Sequence, residues 1–126
     1  MYRACSLLAV AILIAAGGCT GSAGNDVFAT VKYEDGSPVP QGEVRFINDT
    51  FETLGKIDNG KVDIGAMDDG VPNGTYKVAV NANGEADDKY PYGKPLVAKK
   101  FNNPNTSGIV IEVKGDENID IVVGKP

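Results

Sequence analysis

The chain has no histidine and no tryptophan, and its only two cysteines, Cys5 and Cys19, lie near the N-terminus. From Thr20 to Pro126 there is no thiol, so that stretch holds neither an internal disulfide nor a thiolate zinc site. Without imidazole, a serine nucleophile has no partner of the usual triad kind. Serine itself is scarce: beyond Asp26 only Ser37 and Ser107 occur, both in turn contexts. Positive charge is also short. There are 12 basic and 17 acidic residues, for a net charge of −5, and residues 1–18 contribute only Arg3 to that balance. An acidic chain repels phosphate backbones and anionic lipid, which argues against nucleic acid as a partner and against a basic membrane-surface patch. No apolar run is long enough to span a bilayer. The longest, Leu7–Ala16, "LLAVAILIAA", covers ten residues, where about 20 are needed.

That run is instead the length of a signal-peptide core. Arg3 precedes it, and the small residues Ala15, Ala16, Gly17 and Gly18 follow it, ending at Cys19. "AGGC" resembles the lipobox of bacterial lipoproteins. The resemblance implies that residues 1–18 are a signal peptide, that Cys19 carries a diacylglyceryl group on its thiol, and that cleavage makes Cys19 the first residue. Ala16 stands where the family more often has a larger aliphatic residue. The competing interpretation is an ordinary signal peptide, with Cys19 incidental. Residues 20–25, "TGSAGN", are small and polar, so 19–25 is expected to be a lipidated cysteine and its flexible tether. Two or three acyl chains anchor a protein stably. The expected location is the bacterial cell envelope, bound to membrane through the N-terminal lipid. Thr20 does not match the aspartate that retains some lipoproteins at the inner membrane, which favours the outer membrane or cell surface.

Beyond Asp26 the hydrophobic period is two, the mark of strands with one buried face. "VFATVKY" sets Val27, Ala29, Val31 and Tyr33 on one side. "EVRFIND" sets Val44 and Phe46 together, and "FETLGKI" is a short third strand. Asp58-Asn59-Gly60 is a turn into "KVDIGA". "TYKVAVN" points Tyr76, Val78 and Val80 inward, and residues 81–95 form a polar loop. "LVAKKF" is a candidate strand. "IVIEV" and "NIDIVV" alternate again, with hairpin chemistry in the "KGDEN" between them. Seven or eight short strands with no amphipathic helix describe a β-sandwich over 26–126.

Three stretches carry a second resemblance: "VKYEDGSPVPQGEVRF", "GVPNGTYKVAV" and "LVAKKFNNPNTSGIVIEVKGDENIDIVV". They are similar to carboxypeptidase regulatory-like domains, also called transthyretin-like or prealbumin-like, as found in small bacterial lipoproteins. The resemblance implies an all-β, seven-stranded Greek-key sandwich (transthyretin-like/Ig-like) that serves as a non-catalytic module. Enzymes sharing this kind of sandwich, the hydroxyisourate hydrolases and the intradiol dioxygenases, depend on histidines that this chain lacks.

Chemistry-bearing candidates are few. Asp68-Asp69 and Asp87-Asp88 lie in loops, and Asp58 and Asp63 flank a turn. Paired acids suit a small carboxylate-using hydrolase or a calcium-dependent adhesive module. However, "DDGVPNG" lacks the alternating ligands and closing glutamate of an EF-hand loop, and solvated loop acids are the plainer explanation. "KYPYGKP" places Tyr90 and Tyr92 in a loop bounded by proline and glycine. Each offers an apolar face and a polar tip to a sugar ring or a peptide; the plainer alternative is that they cover an open end of the sandwich. No metal and no cofactor are expected. The expected function is a non-catalytic binding or structural module in the envelope, with a glycan or protein partner.

Overall fold

The computed structural model describes residues 24–126, so the expected signal peptide and Cys19 lie outside the described residues. Seven strands follow in order: β1 (Val27–Tyr33), β2 (Gln41–Ile47), β3 (Glu52–Asp58), β4 (Lys61–Ile64), β5 (Gly74–Asn81), β6 (Val110–Val113) and β7 (Glu117–Val123). Each follows the period-two rule. In β1 the inward residues Val27, Ala29, Val31 and Tyr33 are buried, while Phe28 and Thr30 face solvent. In β5 the buried Tyr76 and Val78 alternate with the exposed Thr75 and Lys77.

All seven strands belong to one mixed sheet with the order β6-β5-β2-β3-β4-β1-β7. Its pairings are antiparallel except β1–β7, which is parallel. The two end strands, β6 and β7, are consecutive in the chain and are joined only by residues 114–116. Four Cα steps reach about 15 Å. Flat, the seven strands would hold their outer members about 29 Å apart. The sheet must therefore fold over on itself. Val44, Phe46 and Val78 from one limb then share a single core with Val27, Val31 and Ile121 from the other. This is an all-β, sandwich-like fold.

The fold-over lies between β3 and β4. Residues β2 and β3 pair along their whole length, whereas β3 and β4 share a single Cα pair, Asp58↔Lys61. Asn59 (φ 49) and Gly60 (φ 85) form the two-residue turn there. Two positive φ values in succession are the pattern of a type I′ hairpin turn, which asparagine-glycine accepts at low cost. Just before it, Gly55 lets the two limbs touch: a Cβ at this position would stand 2.5 Å from the Asp63 carbonyl oxygen and 2.7 Å from Val62 Cγ1.

Two expectations are corrected. "LVAKKF" is not a strand, because Lys99–Asn102 form a 3-10 turn. Its apolar residues are contiguous at 96–98, and Phe101 then follows Ala98 at the three-residue spacing of a 3-10 turn. The Phe101 N–H donates to Ala98 O (3.1 Å), and its ring is buried in the core. Nor does "KGDEN" close a hairpin. Those residues carry the chain from one limb to the other, since β6 pairs with β5 and β7 with β1. Turn chemistry signals a change of direction, but it does not say which strand comes next to which. Gly24 and Asn25, placed in the tether by sequence, are also held against the domain. Gly24 N–H donates to Asp69 O (3.2 Å), and Asn25 exchanges backbone bonds with Val71.

Candidate functional site

The strand directions divide the connections between two poles. At one pole lie residues 24–26, the β2–β3 turn, the β4–β5 loop and the β6–β7 link. At the other lie residues 34–40, the Asn59-Gly60 turn, the long segment after β5 and the C-terminus. The tyrosine loop belongs to this second pole, away from the point where the N-terminal segment enters.

The tyrosine loop is built, not loose. Asn83 and Pro95 form a bridge at its base, and Gly84 N–H donates to Lys94 O (2.8 Å). At its tip the Asp87 carboxylate accepts from the N–H groups of Lys89 (3.0 Å) and Tyr90 (2.6 Å). An aspartate accepting from the backbone two and three residues on is a standard turn device. Tyr90 is half-buried, with the Lys89 ammonium 5.6 Å from its ring centroid. Tyr92 is 91% exposed and covers nothing. The two tyrosines therefore share a tip but do not lie in the same environment.

Beside this loop, Tyr33 O–H donates to Leu96 O (2.8 Å), and the Lys125 ammonium sits 5.1 Å from the Tyr33 ring centroid. Asp35 is the strongly perturbed acid of this pole. The Ser37 hydroxyl (2.6 Å) and the Ser37 N–H (2.9 Å) both donate to it, and Lys125 lies 3.5 Å away. These partners, the Ser37 hydroxyl foremost, lower its carboxyl from the ordinary 3.8 to about 2. A depressed acid contributes stability that is present above its unfolded value and lost on acidification. For Asp35 that window runs from 3.8 down to about 2. Titrating the side-chain carboxyl by NMR should return a value near 2, and Ser37→Ala should raise it toward 3.8. Lys125→Met should raise it by less, because the serine bonds are the larger cause. An Asp35 that titrates normally in the wild-type chain would contradict this account.

The two loop acid pairs are not brought together, whereas Asp58 and Asp63 line one open groove with Asp120, Lys56 and Lys61. Asp68-Asp69 precede β5 and Asp87-Asp88 follow it, and an eight-residue strand separates its ends by about 24 Å. All four are exposed. Asp68 accepts from the hydroxyl of buried Thr53 (2.6 Å), and Asp87 caps its own turn as described. Among the described residues, no three His, Cys, Asp or Glu side chains are grouped to hold a metal ion. Among the described residues, no helix is long and apolar enough to cross a membrane.

Sequence reasoning passed over one surface. A groove of about 740 Å³ crosses the outer face of β1, β4 and β7, lined by Phe28, Thr30, Lys61, Asp63, Asn118 and Asp120 among others. Phe28 is 46% exposed. The signal was present: Phe28 alternates with Thr30 and Lys32 on the polar side of β1. Comparisons of the chain with protein-family models, with curated proteins and with solved structures find no match.

Proposed function

We propose that this protein is a lipid-anchored component of a bacterial cell envelope, in which a non-catalytic sandwich of the carboxypeptidase regulatory-like kind serves as a binding or structural module. Cys19 is the lipidated residue, and the outer membrane or cell surface is the location. The partner is an envelope glycan or protein. The observation that carries the proposal is the polarity of the domain. Gly24 and Asn25 are pinned beside Asp69 and Val71 at one pole, while the tyrosine loop stands at the other. A tether entering at the first pole turns the second pole outward from the membrane. Tyr92, held on a loop with an ordered backbone, then offers its ring to a partner with little ordering cost.

The test is the mass of the N-terminal peptide from protein recovered from its own membranes, beside a Cys19→Ser variant. A peptide that begins at Cys19 with acyl chains, and a variant released to the soluble fraction, is the expected result. An unacylated N-terminus elsewhere would make the protein a freely secreted binding domain and remove the tethering argument.

A further inference from the structure

The fold-over leaves one side of the sheet unclosed. Its two outer members, β6 and β7, lie along that side without pairing to each other. The distal part is filled by residues 98–107: Ala98 N–H donates to Gly124 O (2.8 Å), Phe101 enters the core, and the Ser107 hydroxyl donates to Val78 O. The remainder, alongside β6 and Glu117–Val122, is open. Ile109, Ile111 and Ile119 border it and are only partly buried against the core.

The hydrogen-bonding parity of β7 follows from its two ends. Glu117 N–H donates to Asp26 O, so the odd-numbered residues of β7 turn their backbone groups toward β1. Gly124 O accepts from Ala98, so the even-numbered residues turn away. The backbone groups of Asn118, Asp120 and Val122 therefore face the open side. Proteins blunt a free edge with proline, charged side chains, a bulge or a cover. β7, "ENIDIVV", pairs with β1 over seven successive residues and contains no proline; its charged residues, Glu117 and Asp120, are both acidic and so oppose an acidic edge but not a basic segment. At Gly124 the same edge has already accepted a backbone donor from outside the sheet.

We propose that the free edge of β7 docks an extended segment of another protein, added as a further strand, with lysine or arginine facing Asp120 and aliphatic residues covering Ile119. This deepens the binding-module reading above and rests on it. Charge selects the occupant. The residues around the edge include four carboxylates, Glu112, Asp116, Glu117 and Asp120, against two ammonium groups; Lys32 pairs with Asp120 (3.7 Å) and Lys114 with Glu112 (3.5 Å), both in exposed pairs that contribute little and leave the edge net acidic. Complementary charge across a docking surface sets partner choice and association rate. A second copy of this chain fits poorly. Identical edges related by a two-fold axis pair antiparallel, which would set the entry pole of one copy beside the far pole of the other. A two-fold axis through the middle of β7 would also set Asp120 opposite the Asp120 of the second copy, and like charges directly opposite each other are destabilising.

The test uses protein purified from its own membranes in detergent, with two blocked synthetic peptides as probes: one alternating valine with lysine, the other valine with glutamate. Hydrogen–deuterium exchange is read amide by amide. Expected in the free protein are fast amides at Asn118, Asp120 and Val122 between slow ones at Ile119, Ile121 and Val123. The lysine peptide should slow the three fast amides at least tenfold, and the glutamate peptide should not. Val122→Pro removes only an edge N–H and should weaken lysine-peptide binding at least tenfold. Asp120→Lys should reverse the preference between the two peptides. The proposal is overturned if the lysine peptide leaves the three amides fast, if the two peptides bind alike, or if Val122→Pro binds as the unaltered chain does. Protection of the three amides that rises with protein concentration alone would assign the edge to a second copy and overturn it equally. Because exchange is read on purified protein whatever its N-terminus carries, this result and the anchoring result fail independently.

Discussion

Gly55→Ala should lower the stability of the domain by about 3 kcal/mol, the upper part of the range for overpacking a tight site. The added carbon would meet the Asp63 carbonyl oxygen at 2.5 Å, the Asp63 carbonyl carbon at 3.1 Å and Val62 Cγ1 at 2.7 Å. Two of those atoms are backbone, so no rotamer change relieves the clash. Either β3 or β4 must move, and these strands form the corner at which the sheet folds over. The matching control is Gly115→Ala, where an added Cβ meets nothing within 4 Å; a change within about 0.5 kcal/mol is expected there. Thermal melts of the two variants beside the wild-type chain measure the difference. Equal melting temperatures for Gly55→Ala and the wild type would show that the corner has slack and that closure is governed elsewhere.

Phe46→Ala should be the most damaging single truncation, at about 3–5 kcal/mol. Phe46 is fully buried. Its ring packs at 5.8 Å between centroids, tilted by 40°, against Tyr76, which also meets the Phe51 ring at 6.3 Å. Tyr76 cannot swing freely into the vacated space, because its O–H donates to Pro72 O (2.7 Å). The cavity therefore stays largely unfilled, and residual cavity volume is what enlarges the cost beyond the transfer energy. For a domain of this size the loss corresponds to a fall in Tm of roughly 15–30 °C. That is a large share of a total stability of about 5–15 kcal/mol. Tyr92→Ala, which removes a side chain 91% exposed, should leave Tm unchanged. A small effect of Phe46→Ala in urea or heat would mean that the core collapses around Tyr76, and a crystal structure of the variant would show the ring displaced.

Strand positions were legible because period two is a local property. Val27 through Tyr33, Val44 with Phe46, and Tyr76 with Val78 all declare their faces within seven or eight residues. The Asn59-Gly60 turn was legible for the same reason, since two adjacent positive φ values need those residue types. "LVAKKF" was misread because β propensity at 96–98 was extended to Phe101. The three-residue return that buries that ring depends on the core it enters. "KGDEN" was misread because turn chemistry carries no information about a partner such as β1, six strands earlier in the chain.

The candidate surfaces divide the same way. Tyr90 and Tyr92 stood out in the sequence because Pro91 and Gly93 bracket Tyr92 in a polar loop. That only Tyr92 is fully presented depends on Asp87 drawing in the Lys89 and Tyr90 amides. The acid pairs looked equivalent until β5 set them at opposite poles. The free edge of β7 was invisible, because a strand becomes an edge only when the order of all the others is known.

By itself, then, the amino-acid order determined the class of the protein and much of its chemistry. Alternation makes it all-β, the lack of histidine removes imidazole chemistry, and the apolar run with the small residues that lead from it to Cys19 supplies the case for a lipid anchor. Each of these is a property of composition or of neighbours within about ten residues. The parallel join of β1 to β7, the fold-over at Gly55, the two poles and the unpaired edge were decided by the tertiary structure alone. They arise from contacts between residues tens of positions apart, and the backbone groups that make those contacts are the same in every strand.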